Sequence, residues 1–344
     1  MGLSQTCEIK LKNKFQRGNR NLITDIPGVR VGQVTLQNAE KAIHTGVTVI
    51  LPHGGNLFKE KVPAGVSIIN GFGKSAGLIQ VQELETIETP IVMTNTFGVG
   101  TALNALTKYM LEENEDIGVH TGTVNCLVTE CNDGMLNDIR GMHLKEEHVR
   151  EAIQNADDTF EEGGVGAGTG MVCMGLKGGI GSASRVVPLD GNDYTIGAIV
   201  LSNFGVAGNL RIGGMQLSAP EQKAEKEERG SIIIVIGTNI PANGHQLARI
   251  AKRATASLGR VGSYLGNGSG DIAIAFSNAH PIPHYSETKI ISLQQLHDGA
   301  LDLMFEATTE VVEEAIISSL YHGETTTGIR GKTVLSLKET GNKQ

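Results

Sequence analysis

Five polar side chains stand where apolar runs end or where glycines admit a ligand. Glu130 follows VNCLVT, Asn203 follows AIVLS, and Ser231 precedes IIIVI. Ser269 and Asp271 lie in GNGSGDIAIAF. A hydroxyl is a weak nucleophile until a base removes its proton. A side-chain amide can donate to a developing oxyanion, a role worth ~2.7–4 kcal/mol where it has been removed. Carboxylates can bind an amine or steady a base. Together these types suit acyl transfer. Singly, each has a plainer reading: Glu130 and Asn203 as turn caps, Ser231 as an ordinary strand start, Asp271 as a strand-edge charge.

Ser231 stands out by its position. The charged run EQKAEKEER at 221–229 stops at Gly230, and a buried-strand signal begins directly behind the serine. The run reads as a solvated, linker-like segment. The junction is therefore placed to be a self-cleavage site. Gly230 offers no side chain to obstruct attack and tolerates unusual backbone geometry. Ser231 Oγ would attack the Gly230 carbonyl, and water would release the resulting ester. The freed α-amine, with a reference pKa of roughly 7.7–8.0, could then serve as the base for its own hydroxyl.

These residues need strands and glycine loops to hold them, and the chain supplies both. Apolar strand signals occur in GVTVIL, VSIING, PIVMTN, VNCLVTE, YTIGAIVLSN, SIIIVIG and DIAIAFS. A helix is expected from about Gly100, with Ala102, Leu103, Leu106, Met110 and Leu111 on one face, and a short one over LKEEHVREAIQNADD. A third is expected over NGHQLARIAKRATASLG, with Leu247, Ile250, Ala251, Ala254 and Leu258 on one stripe and Gly259 as its C-cap. A long amphipathic helix is expected over LDLMFEATTEVVEEAIISSLY, and residues 1–20 read as an exposed or loosely packed arm. The helices are too unevenly spaced for a regular βαβ repeat, so sheets covered by helices in layers are favoured. No shift in composition divides the 344 residues, which read as one catalytic domain.

Composition sets limits. The 45 glycines and the absence of tryptophan imply tight turns and a core filled by small side chains. A net charge of −8 argues against nucleic acid as the main partner. No window reaches 18 apolar residues, so no membrane span is expected. The N-terminus lacks the apolar core of a secretory signal, and Cys7, Cys126, Cys131 and Cys173 show no disulfide or metal spacing. The expectation is a cytoplasmic protein with reduced thiols. Gly73-Lys74-Ser75 and Gly331-Lys332-Thr333 lack the upstream glycine of a phosphate loop, having Ile68 and Thr326 there. Gly164–Gly170 lacks dinucleotide-binding spacing, and His280 and His284 flank prolines rather than sharing a helical face.

LITDIPGVRVGQVT, TECNDGMLNDIRG, LSNFG, RGSIIIVIGTN, QLARIAKRATASLGRVGS and GNGSGDIAIAFS together resemble the S58 peptidase family, the DmpA-like aminopeptidases. The resemblance spans about Ile23 to Leu335. It implies an α/β (α+β) fold, a four-layer αββα sandwich like the N-terminal-nucleophile hydrolases and shared with ornithine acetyltransferases. It implies a precursor cleaved at Gly230–Ser231 into subunits 1–230 and 231–344, assembled as a homo-oligomer of cleaved heterodimers. The implied activity removes an N-terminal residue from short peptides, aminoacyl amides or esters, without metal or cofactor. It assigns Ser231 as nucleophile, Asn203 to the oxyanion, Ser269 and Asp271 to assisting the nucleophile and its amine, and Glu130 to the substrate amino group. Asn132 stands in the substrate pocket where some members carry Tyr or Trp, and the loop Asn70–Lys74 departs from the family's usual acidic version. An acetyltransferase of the ornithine type would carry threonine at the cleavage point, so Ser231 counts against it. A binding protein that never cleaves is the remaining alternative.

Overall fold

The computed structural model describes residue 11, residues 13–217 and residues 228–340, with Arg229 described by its backbone alone. Two sheets form its centre. The strands are β1 (Arg30–Asn38), β2 (Ile43–Leu51), β3 (Glu60–Gly71), β4 (Ile91–Asn95), β5 (Leu127–Cys131), β6 (Gly179–Leu189), β7 (Asn192–Asn203), β8 (Arg229–Thr238) and β9 (Gly268–Ser277). The smaller sheet has the order β1-β2-β4-β5, and the larger contains the run β3-β9-β8-β7-β6, extended by short strands that pair with β3. Among these nine strands, only β4–β5 and β8–β9 are parallel pairs. Each parallel pair is joined by a helical crossover, as parallel neighbours require.

The helices are α1 (Leu78–Leu84), α2 (Val99–Glu113), α3 (Glu146–Gln154), α4 (Gly244–Lys252), α5 (Ala254–Arg260) and α6 (Leu301–Tyr321). Alternation along β8 shows how they are layered. Ile232, Ile234 and Ile236 pack with α4, α5 and α6, whereas Ile233 and Val235 pack with Ile91, Met93 and Leu127 of the other sheet. The far side of that second sheet, through Val47, Val92 and Val128, meets Ala102, Leu106 and Val149 of α2 and α3. Three cores thus separate four layers in the order α, β, β, α, as expected. Small residues permit the close approach: a Cβ on Gly65 of β3 would lie 2.1 Å from the backbone nitrogen of Ala248 in α4.

Four local expectations are corrected. The helix over 244–260 is broken at Arg253 (φ −72°, ψ −16°) and runs past Gly259, which lies inside α5 rather than capping it. Its apolar stripe holds: Leu247, Ile250, Ala251, Ala254 and Leu258 are all buried. Helix α6 is buried around most of its circumference instead of being amphipathic. Even Glu310 and Glu314 are inside, paired with the buried Arg185 at 2.9 and 2.5 Å. Burial alone would raise the Glu314 pKa, but the Arg185 and Arg17 guanidinium groups hold it below the ordinary value.

The same pair of glutamates corrects the third expectation. Lys14 donates its backbone N–H to Glu310 at 2.6 Å, Arg17 donates to Glu314 at 2.8 Å, and Phe15 is buried. Residues 13–20 are therefore docked, while residues 1–10 lie outside the described residues. Lastly, Ser231 is the third residue of β8, not its first. The solvated run is only partly open to description, since 221–227 lie outside the described residues. Glu228, its penultimate residue, is buried. Among the described residues, no helix is long and apolar enough to cross a membrane.

Candidate active site

The β7–β8–β9 ribbon brings the first residues together. Ser231 lies opposite Asn203 in the antiparallel pair and beside Gly270 in the parallel one. Pleat parity puts Ser231 on the inter-sheet side with Ile233 and Val235, and Asn203 on that side with Ile199 and Leu201. Both open into a cavity of about 810 Å³, the size of a small-ligand site. Glu130 and Asn132, at the end of β5 in the other sheet, line the same cavity. Two separate sheets thus deliver the serine and the carboxylate to one space.

The preceding residue has a conformation that only glycine adopts readily. Gly230 has φ +123°, and a Cβ there would stand 2.0 Å from the Asn203 carbonyl oxygen. Two residues earlier the chain is clamped. Glu228 accepts from Ser263 Oγ and from the Tyr264 N–H at 2.9 Å, and its own N–H donates to Tyr264 Oη at 2.6 Å. The sequence signal for this clamp was masked, because Glu228 ends a charged run whose other members gave it a solvated character.

Asn203 is held in one orientation. Its Oδ1 accepts from the Val172 N–H at 2.9 Å, and its Nδ2 donates to the Asn132 carbonyl at 3.0 Å. A flipped amide would set like against like at both contacts, so the assignment is fixed by the partners. The second Nδ2 hydrogen is left for the cavity. Asn132 itself is exposed; its Oδ1 accepts from the Gly134 N–H at 2.9 Å, so its backbone serves Asn203 while its side chain shapes the wall.

Glu130 is 3% exposed. It accepts from the Lys74 N–H at 2.8 Å and from Thr96 Oγ1. A carboxylate has about four acceptor positions, so Glu130 has capacity for two further bonds. Thr96 went unnoticed in the sequence, although it carries the same signal as Glu130: a polar residue at the end of an apolar strand. Cys131 was missed too. Its thiol donates to the Leu201 carbonyl at 3.5 Å, and burial, with the nearby Glu130 and Asp271 charges, pushes its pKa well up, so it stays a neutral thiol.

Ser269 and Asp271 are brought near the junction but onto the other face of the sheet. Alternation along β9 sets them on the helix side with Ala273 and Ala275. Ser269 Oγ donates to Asp271 Oδ1 at 2.5 Å, and Asp271 is the register neighbour of Ile232 in the parallel pair. The pair therefore stands beside the residue that follows Ser231. Burial pushes the Asp271 pKa up to about 6, with the Glu228 charge adding to the rise.

Comparison with known proteins agrees with the fold. A β-peptidyl aminopeptidase BapA from Sphingosinicella microcystinivorans is 38% identical, covering 93% of this chain and 86% of that protein. A Pyrococcus horikoshii crystal structure superposes with a TM-score of 0.91 at 50% identity, covering 97% and 96% of the two chains. The L-aminopeptidase D-Ala-esterase/amidase of Ochrobactrum anthropi, described as a variant of the Ntn hydrolase fold, gives 0.87 at 35%, covering 96% and 93%. The model of peptidase family S58 matches residues 21–334. With its four layers, its Gly230–Ser231 strand and its matched length, the chain belongs to peptidase family S58.

Proposed function

We propose that this protein is a self-processing N-terminal-serine aminopeptidase that removes the first residue from short peptides, aminoacyl amides or esters. The observation that carries the reading is the convergence of Ser231, Asn203 and Glu130 on one cavity from two sheets. Relatives named as aminopeptidases support it.

In the first step Ser231 Oγ bonds to the Gly230 carbonyl carbon and the bond from that carbon to Ser231 N breaks. The hydroxyl proton passes to the departing nitrogen. Water then cleaves the ester, leaving residues 1–230 with a C-terminal carboxylate and 231–344 with a free α-amine. In turnover that amine takes the Ser231 proton as Oγ attacks the substrate carbonyl. The ammonium so formed protonates the leaving amine or alcohol as its bond to that carbon breaks. Water then hydrolyses the acyl-serine, freeing the N-terminal residue and restoring the hydroxyl. Asn203 Nδ2 donates to the oxyanion, where a preorganised donor is most effective. Glu130 holds the substrate ammonium and so fixes cleavage one residue from the N-terminus. Asp271, steadied by Ser269, holds the backbone that carries the amine.

The test compares alanyl p-nitroanilide and β-alanyl p-nitroanilide with their N-acetylated counterparts. Release is expected only from the free-amine substrates, and none from a Ser231→Ala protein. Equal hydrolysis of acetylated and free substrates would contradict the role of Glu130 and the aminopeptidase reading with it.

A further inference from the structure

Two Gly-Lys-Ser/Thr tripeptides had no use as phosphate loops, yet the structure brings both to the mouth of the same cavity. Lys74 comes from the loop after β3, and Lys332 from the hairpin whose short strands are Thr326–Thr327 and Thr333–Val334. Both are exposed, and among the described residues neither is in an ion pair. Lys74 Nζ lies 4.2 Å from the centre of the Phe72 ring, which also lines the cavity. The hairpin is fastened to the site wall: the Ile329 N–H donates to the Leu136 carbonyl at 2.8 Å, and Val334 packs with Leu136.

The charge pattern is unusual for this chain. The protein carries −8 overall, yet among the described residues the cavity lining holds two lysines against one carboxylate, Glu130. That carboxylate is already committed to the ammonium end of a substrate. Two exposed cations without ion-pair partners among the described residues, set in the lining of one concave site, attract an anionic group, and clefts lined by one sign of charge focus the effect.

Resting on the aminopeptidase reading, we propose that Lys74 and Lys332 are specificity-determining residues that bind a carboxylate on the substrate. The enzyme then prefers zwitterionic short peptides, ammonium at Glu130 and carboxylate at the lysines, over neutral aminoacyl amides. The carboxylate has two chemical sources: the free C-terminus of a dipeptide, or an acidic side chain on the N-terminal residue.

The experiment measures kcat/KM for two substrate pairs: alanylglycine against alanylglycinamide, and aspartyl p-nitroanilide against asparaginyl p-nitroanilide. The wild type is expected to favour the acid in at least one pair. A C-terminal carboxylate gives preference in the first pair only, a side-chain carboxylate in the second only. Lys74→Gln and Lys332→Gln should each reduce that acid-to-neutral ratio about 2- to 5-fold, the range for exposed charge pairs. The loss should fall mainly on KM, be restored by arginine, and shrink in the wild type as salt is raised. Ratios near one in both pairs, with good turnover of the neutral substrates, would overturn the carboxylate site while leaving the aminopeptidase intact. Ratios unmoved by both substitutions would overturn it equally. No hydrolysis of any of the four would remove the reading beneath it.

Discussion

The α-carbon of Gly230 faces the carbonyl oxygen of Asn203 so closely that a methyl group on it would stand 2.0 Å from that oxygen. The residue before the nucleophile and the residue proposed for the oxyanion are therefore packed against one another. At φ +123°, Gly230 is also in a region that side-chain-bearing residues rarely enter. Gly230→Ala must displace β8 from β7 at the junction. Self-cleavage is expected to slow by at least about 100-fold, since displacements near 1 Å can cost that much. Densitometry of the full-length band over time on denaturing gels checks this; cleavage at the wild-type rate would count against it.

Asn203→Ala removes a donor that acts mainly in the transition state. In protein that has already matured, kcat should fall about 10²- to 10³-fold with little change in KM. Steady-state kinetics on alanyl p-nitroanilide measure both. A change confined to KM would contradict the oxyanion role.

Glu130→Gln separates the two reactions. Turnover needs the carboxylate for the substrate ammonium, so kcat/KM should drop about 10- to 150-fold, the range for a charged hydrogen bond. Processing needs no substrate amine, so the variant should still yield two fragments. Failure to cleave would show that Glu130 acts earlier than assigned.

Asp271 carries a stability cost with a definite pH dependence. Its pKa is about 6 in the fold against an ordinary 3.8, so the folded chain holds its proton more tightly than the unfolded chain. Stability is then lost as pH rises from about 4 to about 6, and the full deficit persists above 6. The shift corresponds to about 3 kcal/mol at most. Asp271→Asn, which cannot ionise, should raise Tm relative to wild type at pH 7.5 and bring no gain at pH 4. Because the carboxylate is proposed to serve the nucleophile's backbone, the same variant should lose turnover. A lower Tm at pH 7.5 would contradict the account.

Much of this was legible in the chain and some was not, for physical reasons. The alternation of IIIVI and the apolar stripe through Leu247 and Leu258 announced their elements because burial imposes periodicity. The polar ends Glu130 and Asn203 were visible because a charge or amide closing an apolar run is conspicuous. Glu228 and α6 misled for the opposite reason: their partners, Tyr264, Ser263 and Arg185, lie far away in sequence, so their charges looked solvated. The face on which Asp271 lies depends on its register against Ile232, and register between distant strands has no local signature. Lys332 reaches the cavity through a hairpin fastened to Leu136, a contact that no spacing announces.

The central claim is that the Gly230–Ser231 bond is broken by the protein itself. Intact-mass spectrometry of freshly purified wild type and Ser231→Ala protein tests it most directly. The account predicts two wild-type species, the smaller beginning at Ser231 and ending at Gln344, and a single uncut chain for the variant. A wild type that stays whole while releasing N-terminal residues from free-amine substrates would contradict it.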